Sequence, residues 1–173
     1  MAKTVMIKEK IMVITKEQLI ESLNHDLELE YSSAIQYVNH SETMGDSVDR
    51  DIITLLETSA EDEMQHLMIL AAQIGLIGGE PLVEGGEIKV SRLNQNMLKQ
   101  DLEREQEAIR RYGIRIKQAE GLEEFELARC LRVILHAEQR HAEDLKRTLR
   151  SLREMAEYPV MMTGRGGNYL YVQ

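Results

Sequence analysis

Residues 23–37 read LNHDLELEYSSAIQY, and residues 98–112 read LKQDLEREQEAIRRY. In the first, Leu23, Leu27, Glu30, Ala34 and Tyr37 recur at alternating spacings of four and three; in the second, Leu98, Leu102, Glu105, Ile109 and Tyr112 do the same. That period is the stripe that one face of an α-helix presents to a core. Two further stripes follow the same rule: Leu56, Ala60, Glu63, Leu67 and Leu70, then Leu131, Leu135, Glu138, Ala142 and Leu145. Each apolar seam contains one glutamate.

Displacing the chain against itself by 75 residues explains the likeness. Leu23, Asp26, Leu27, Glu28, Glu30, Tyr37, Leu56, Glu63, His66 and Leu70 fall on Leu98, Asp101, Leu102, Glu103, Glu105, Tyr112, Leu131, Glu138, His141 and Leu145. The chain reads as two copies of a helical hairpin. With only two units, the repeat is a structural pseudo-twofold and not a solenoid.

Helix boundaries follow from the punctuation residues. Thr15 with Gln18 forms a capping box that opens a first helix at residue 16, and Gly45 closes it. The second runs from Ser47 to Ile77, where Gly78, Gly79 and Pro81 stop it. Residues 79–91, with Gly85, Gly86 and an extended EIKV, form a link that is long for a helical bundle. Ser91 caps a third helix that ends at Gly121, and a fourth starts at once and continues to Tyr158. The expectation is an all-α, antiparallel four-helix bundle over residues 16–158, with one long crossover between helices 2 and 3. An N-terminal arm (1–15) and a Gly-rich tail (159–173) flank it.

Composition bounds the function. Of 173 residues 43% are apolar and 29% charged, which is globular and not disordered; Trp is absent and Phe occurs once. The lone Cys130 excludes an intrachain disulfide and a cysteine-rich metal cluster, and reads as a small buried residue. A net charge of −9 disfavours nucleic acid as a partner; Lys3, Lys8, Lys10 and Lys16, set against Glu9, read as a solvated arm. The apolar run at 67–79 has thirteen residues, whereas a membrane span needs about 20. No membrane partner is expected. Without a secretory signal pattern, the expected location is the cytoplasm.

Glu63-Met64-Gln65-His66 and Glu138-Gln139-Arg140-His141 are both Glu-x-x-His. Residues three apart on a helix share a face, about 4.5 Å apart along the axis. Glu30 lies fifteen residues before Gly45 and Glu63 fifteen after Val48, so a turn there brings them level. Glu105 and Glu138 are likewise fifteen residues from Glu120 and Glu123, beside the turn at Gly121. Glu30, Glu63, His66, Glu105, Glu138 and His141 therefore converge on one layer. Left unpaired in an apolar interior, such groups are costly, because each loses its water and like charges repel. The neighbouring seam positions are Leu, Ala, Ile and Tyr and supply no cation. Two divalent metals would. An oxygen-rich set with two imidazoles and no sulfur suits iron or manganese, and zinc would bind too. The competing reading, a metal-free scaffold with protonated glutamates, requires large pKa shifts in one layer.

The runs LELEYSSAIQY, EDEMQH, DLEREQEAIRRY and HAEQRH, within residues 16–155, resemble the ferritin-like superfamily and, within it, the bacterioferritins. The resemblance implies two Fe per chain, one held by Glu30 and His66 and the other by Glu105 and His141, with Glu63 and Glu138 bridging. It implies a ferroxidase: Fe(II) is oxidised by dioxygen or hydrogen peroxide, and the ferric product is stored or detoxified in a homo-oligomeric shell. Tyr37 and Tyr112 would stand behind the ligating carboxylates, and a tyrosine at the place of Tyr37 is linked to electron delivery. Met64 occupies the place of the methionine that ligates haem between subunits, but Tyr31 and Ser32 depart from the flanking pattern, and haem is not favoured. Asp62 matches an inner-surface aspartate, whereas Thr58 stands where its histidine partner is expected. The tail PVMMTGRGGNYLYVQ does not match a fifth helix, which leaves open a Dps-like shell of twelve subunits, a tail that docks on a neighbour, or no shell at all. The alternative is a dimeric di-iron or di-manganese oxidoreductase, an oxygenase or peroxidase without mineral storage. His25, His40 and His136 have no partner in the repeat and read as flank residues.

Overall fold

The structure is a computed structural model and describes residues 14–44, 48–82 and 85–157. It contains four helices: α1 (Lys16–Met44), α2 (Arg50–Leu76), α3 (Asn94–Gly121) and α4 (Phe125–Glu157). Helix α1 packs along α2 and α3 along α4, and the two hairpins join through α1 on α3 and α2 on α4. This is the expected all-α four-helix bundle. The expectations for the tail and for nearly all of the arm concern residues outside the described set, as do those for Gly45 and Ser47. Among the described residues no helix is long and apolar enough to cross a membrane.

Several helix ends differ from the sequence reading. The Thr15 box forms as read: Thr15 N–H donates to Gln18 Oε1 at 2.9 Å, and Gln18 N–H returns to Thr15 Oγ1 at 3.2 Å. Helix α2 begins at Arg50, where the Asp49 side chain accepts from Asp51 N–H at 3.0 Å. Ser91 does not cap α3. Its Oγ accepts from Leu93 N–H in the turn before the helix, and Leu93 itself provides no side-chain cap. Gly78, at φ +87°, ends α2 in the left-handed region that glycine adopts without strain. Between α3 and α4 a short turn intervenes in which Glu123, not Gly121, takes positive φ (62°).

The long crossover runs back along α1. Asn24 at the lower end accepts from Leu82 N–H at 2.8 Å and donates to Glu80 C=O at 3.0 Å. Sixteen residues further along α1, His40 Nε2 lies 2.9 Å from Lys89 C=O, and Gln36 Oε1 accepts from Lys89 N–H at 2.7 Å. Arg104 on α3 holds Glu87 C=O. A chain without strand partners thus finds side-chain partners for its backbone groups. The EIKV run (residues 87–90) is not a strand. Gly86 passes so close to Ser32 and Glu28 that a side chain there would collide with α1.

His40 corrects the sequence reading: it is fully buried, not on a flank. Its Nδ1 stands 2.8 Å from the buried Asp101 Oδ1, which also accepts from Gln36 at 2.8 Å. The pseudo-twofold mate is Asp26, held by Arg111 at 3.1 Å and Arg115 at 2.7 Å. His40 and Arg115, like Gln36 and Arg111, are 75 residues apart.

The apolar core is split in two. One cluster gathers Leu19, Leu23, Leu27, Leu67, Leu70, Ile74, Ile116 and Leu131; the other gathers Met44, Ile53, Leu56, Met97, Leu98 and Leu145. Leu102, Ile109 and Leu135 of the expected seam are only half-buried, and Ala108 is buried. A straight helix drifts from a 3.5-residue stripe, and the drift moves the contact line by one position. Asp101→Ala should cost roughly 3–5 kcal/mol by stranding His40 and Gln36, while Asp101→Asn, which keeps an acceptor, should cost less. Urea midpoints and hydrogen exchange at Lys89 check both.

Candidate metal centre

Between the two apolar clusters every helix contributes to one polar layer. Helices α1 and α3 bring Glu30 and Glu105; α2 brings Glu63 and His66, and α4 brings Glu138 and His141. All six are buried, between 1% and 4% exposed. Both histidines turn Nδ1 inward. His66 Nδ1 is 3.1 Å from Glu63 Oε2, 3.1 Å from Glu138 Oε1 and 3.4 Å from Glu30 Oε2. His141 Nδ1 is 3.3 Å from Glu63 Oε1, 3.7 Å from Glu138 Oε2 and 3.8 Å from Glu105 Oε1. Glu63 and Glu138 therefore each point one oxygen to either side, and the imidazole centroids are 6.2 Å apart.

Two overlapping donor sets result, Glu30–Glu63–His66–Glu138 and Glu63–Glu105–Glu138–His141, each with one ligand atom per residue within 4.8 Å of the others. Donors about 2.0–2.2 Å from one ion stand roughly 3.0–3.5 Å from each other, so the spacing suits a metal. The hydrogen bonding suits one as well. Glu63 Oε1, Glu105 Oε2, Glu138 Oε1 and His141 Nδ1 are buried without a hydrogen-bond partner. Native interiors rarely leave such atoms orphaned.

Without metal, burial and neighbouring charges shift the layer's carboxyls in opposite directions. Burial first, then the charges of Glu138 and Glu63, hold the Glu30 carboxyl well above its ordinary range. Burial and Glu63 do the same to Glu105. Burial also opposes ionisation of Glu63 and Glu138, yet Glu30 with the two nearby histidines brings Glu63 below the ordinary range, and the two histidines do the same to Glu138. Burial opposes charging His66, but Glu138, Glu30 and Glu63 outweigh it and push the ring up to about 12. His141 is raised in the same way by Glu105, Glu138 and Glu63. The proton-favouring shifts at Glu30, Glu105, His66 and His141 thus act to offset the negative charge of Glu63 and Glu138. The scaffold reading requires protonated glutamates, and only Glu30 and Glu105 move in that direction, while Glu63 and Glu138 move the opposite way.

The tyrosines cross between hairpins. Tyr37 on α1 donates to Glu105 on α3, and Tyr112 on α3 donates to Glu30 on α1 at 2.6 Å. Each is fully buried, and burial with the facing carboxylate holds its phenol protonated. Two further neighbours touch the ligands in ways the sequence reading did not assign. Arg111 Nη2 reaches Glu30 Oε1 at 3.4 Å, correcting the reading that no cation stands near the layer. Asp62 accepts from His141 Nε2 at 3.0 Å instead of acting apart from the centre. Arg111 sits one position off the seam list and Asp62 one before its glutamate, and neither has a like partner in the repeat.

Other candidates lie elsewhere. Met64 is 48% exposed and lines a shallow outer groove of about 320 Å³ with Ile35 and Val38, away from the layer. Tyr31 packs at the edge of the lower cluster, and Ser32 bonds Glu28 C=O. His25 and His136 are exposed, as read. Cys130 is only half-buried, beside Glu126.

Comparison with known proteins agrees with this architecture. The chain is 26% identical over 127 residues to a bacterioferritin of Desulfovibrio desulfuricans, covering 73% of this chain and 71% of that one. A solved ferritin-like, diiron-carboxylate protein from Bacillus anthracis superposes with a TM-score of 0.74 at 33% identity, over 78% of this chain and 96% of that one. A dodecameric thioferritin, the bacterioferritin-related protein of Bacteroides fragilis, superposes with a TM-score of 0.77 at 23% identity, over 83% and 91%. The family model for the ferritin-like domain matches residues 20–155, and on that match the chain belongs to the ferritin-like family.

Proposed function

We propose that the chain is a ferroxidase that takes two Fe(II) as substrate at this layer. The observation that carries the reading is the sharing of Glu63 and Glu138 between two inward histidine nitrogens. Glu30 and His66 would hold one ion, Glu105 and His141 the other, and the two shared glutamates would bridge them. Manganese or zinc would enter the same donors. Two ferrous ions supply two electrons, enough with two protons to convert dioxygen to hydrogen peroxide, or hydrogen peroxide to two waters. Six protein groups on two ions leave positions open for the oxidant. Tyr37 and Tyr112 hold the terminal carboxylates in place.

The dodecameric state described for the Bacteroides fragilis protein, together with the family, supports a homo-oligomeric shell in which the ferric product is stored or detoxified. A cytoplasmic location fits that role. Haem at Met64 has no part in this reading. The deciding experiment is native mass before and after aerobic loading with excess Fe(II), with iron counted per chain. A large closed oligomer that gains far more than two irons per chain is expected. A dimer saturating at two replaces storage with the oxidoreductase alternative.

Charge balance generates two further expectations. Glu30, Glu105, His66 and His141 all have raised pKa values, so two divalent ions compete with protons at these groups. Affinity then falls as pH is lowered: the overall two-metal binding constant should rise by more than about a hundredfold per pH unit near neutrality. Anaerobic calorimetry in buffers of differing ionisation enthalpy should count more than two protons released per chain. Glu30→Gln replaces a carboxyl whose pKa is raised and keeps an oxygen to accept from Tyr112, so metal-free stability should change by less than about 1 kcal/mol. Glu63→Gln strands the imidazolium rings and should cost roughly 1–3 kcal/mol. Both variants should lose iron oxidation, measured by absorbance of the ferric product.

A further inference from the structure

The 75-residue repeat makes each half of the centre a control for the other, and two departures from it lie directly behind ligands. Asp62 on α2 accepts from His141 Nε2 at 3.0 Å, and the same oxygen accepts from Arg140 at 2.6 Å. The matching residue on α4 is Ala137, which has no carboxylate to offer His66. Arg111 on α3 reaches Glu30 Oε1 at 3.4 Å, the oxygen that Tyr112 also bonds. Its counterpart on α1 is the neutral Gln36, which bonds Asp101 and Lys89 instead.

These differences act in one direction. A carboxylate behind a ligating imidazole fixes the ring, leaves the facing nitrogen bare and makes it a stronger donor. His141 Nδ1 is buried and turned toward the shared glutamates, 3.3 Å from Glu63 Oε1 without hydrogen-bonding geometry. A guanidinium on Glu30 engages one carboxylate oxygen and repels an incoming cation. We propose that the two positions fill in order: a divalent cation takes the Glu105–His141 position first and the Glu30–His66 position second. Asp62 and Arg111 are the positioning residues that set the difference. The inference rests on the two-metal reading above and deepens it.

Co(II), added anaerobically to the full chain and followed by its visible d–d bands, is the probe. Two equivalents per chain are expected to bind in separate steps, with dissociation constants about 10–100-fold apart or more. Crystals grown with one equivalent should show the anomalous peak beside Glu105 and His141. Asp62→Ala should weaken the first step by about 10–100-fold, and Asp62→Asn, whose oxygen still accepts from Nε2, by less. Ala137→Asp and Arg111→Gln should each tighten the second step. A change that merely loosened the helices would weaken both steps together, and circular dichroism melts control for it. Two equal steps, a first peak beside Glu30 and His66, or an unchanged first step in Asp62→Ala overturns the order while the two-metal centre stands. Failure to take up two Co(II) overturns the centre and the order with it.

Discussion

Four carboxyl groups and two imidazoles share one buried layer spanning all four helices, and their charges must nearly cancel because water is excluded from around them. Four carboxylates with neutral histidines would carry four negative charges into a low-dielectric interior. Four protons or two divalent cations would neutralise the layer, and the raised pKa values of Glu30, Glu105, His66 and His141 favour protons when no metal is bound. The two solutions are equal in charge.

That fold is organised to tolerate the layer. The apolar core is divided into two clusters, one at each end, so that polar groups in the middle are held from both sides by packed leucines and isoleucines. Around the layer, side chains of α1 and α3 are exchanged: Tyr37 serves Glu105 and Tyr112 serves Glu30. Asp26 and Asp101 repeat this exchange further out, the first with two arginines and the second with glutamine and histidine. The same His40 and Gln36 fasten the crossover at Lys89. The ligand layer, its supports and the chain's longest connection are thus one polar network.

Much of this was legible in the sequence because it depends on period and count. The alternating spacing of four and three around Glu30, Glu63, Glu105 and Glu138 specifies four helices, and equal distances to the turns specify a common level. The Thr15–Gln18 box was legible for a similar reason, since both partners lie within one turn. Ser91 misled because a hydroxyl near a helix start can close a preceding turn as well as cap the helix. His40 misled because lack of a like residue in the repeat was taken for exposure, whereas Arg115 occupies the equivalent role with different chemistry.

By itself the sequence determined the all-α class, the pseudo-twofold of two hairpins and the six residues that meet in the seam, since helical period and chain length govern all three. Only the tertiary structure decided which nitrogen of each histidine faces inward, which tyrosine holds which glutamate, and that Asp62 and Arg111 make the two halves unequal. These depend on the rotation of one helix against another. A shift of one position about the helix axis turns a residue by about 100°, enough to exchange a core ligand for a flank residue, and one-dimensional spacing does not contain that rotation.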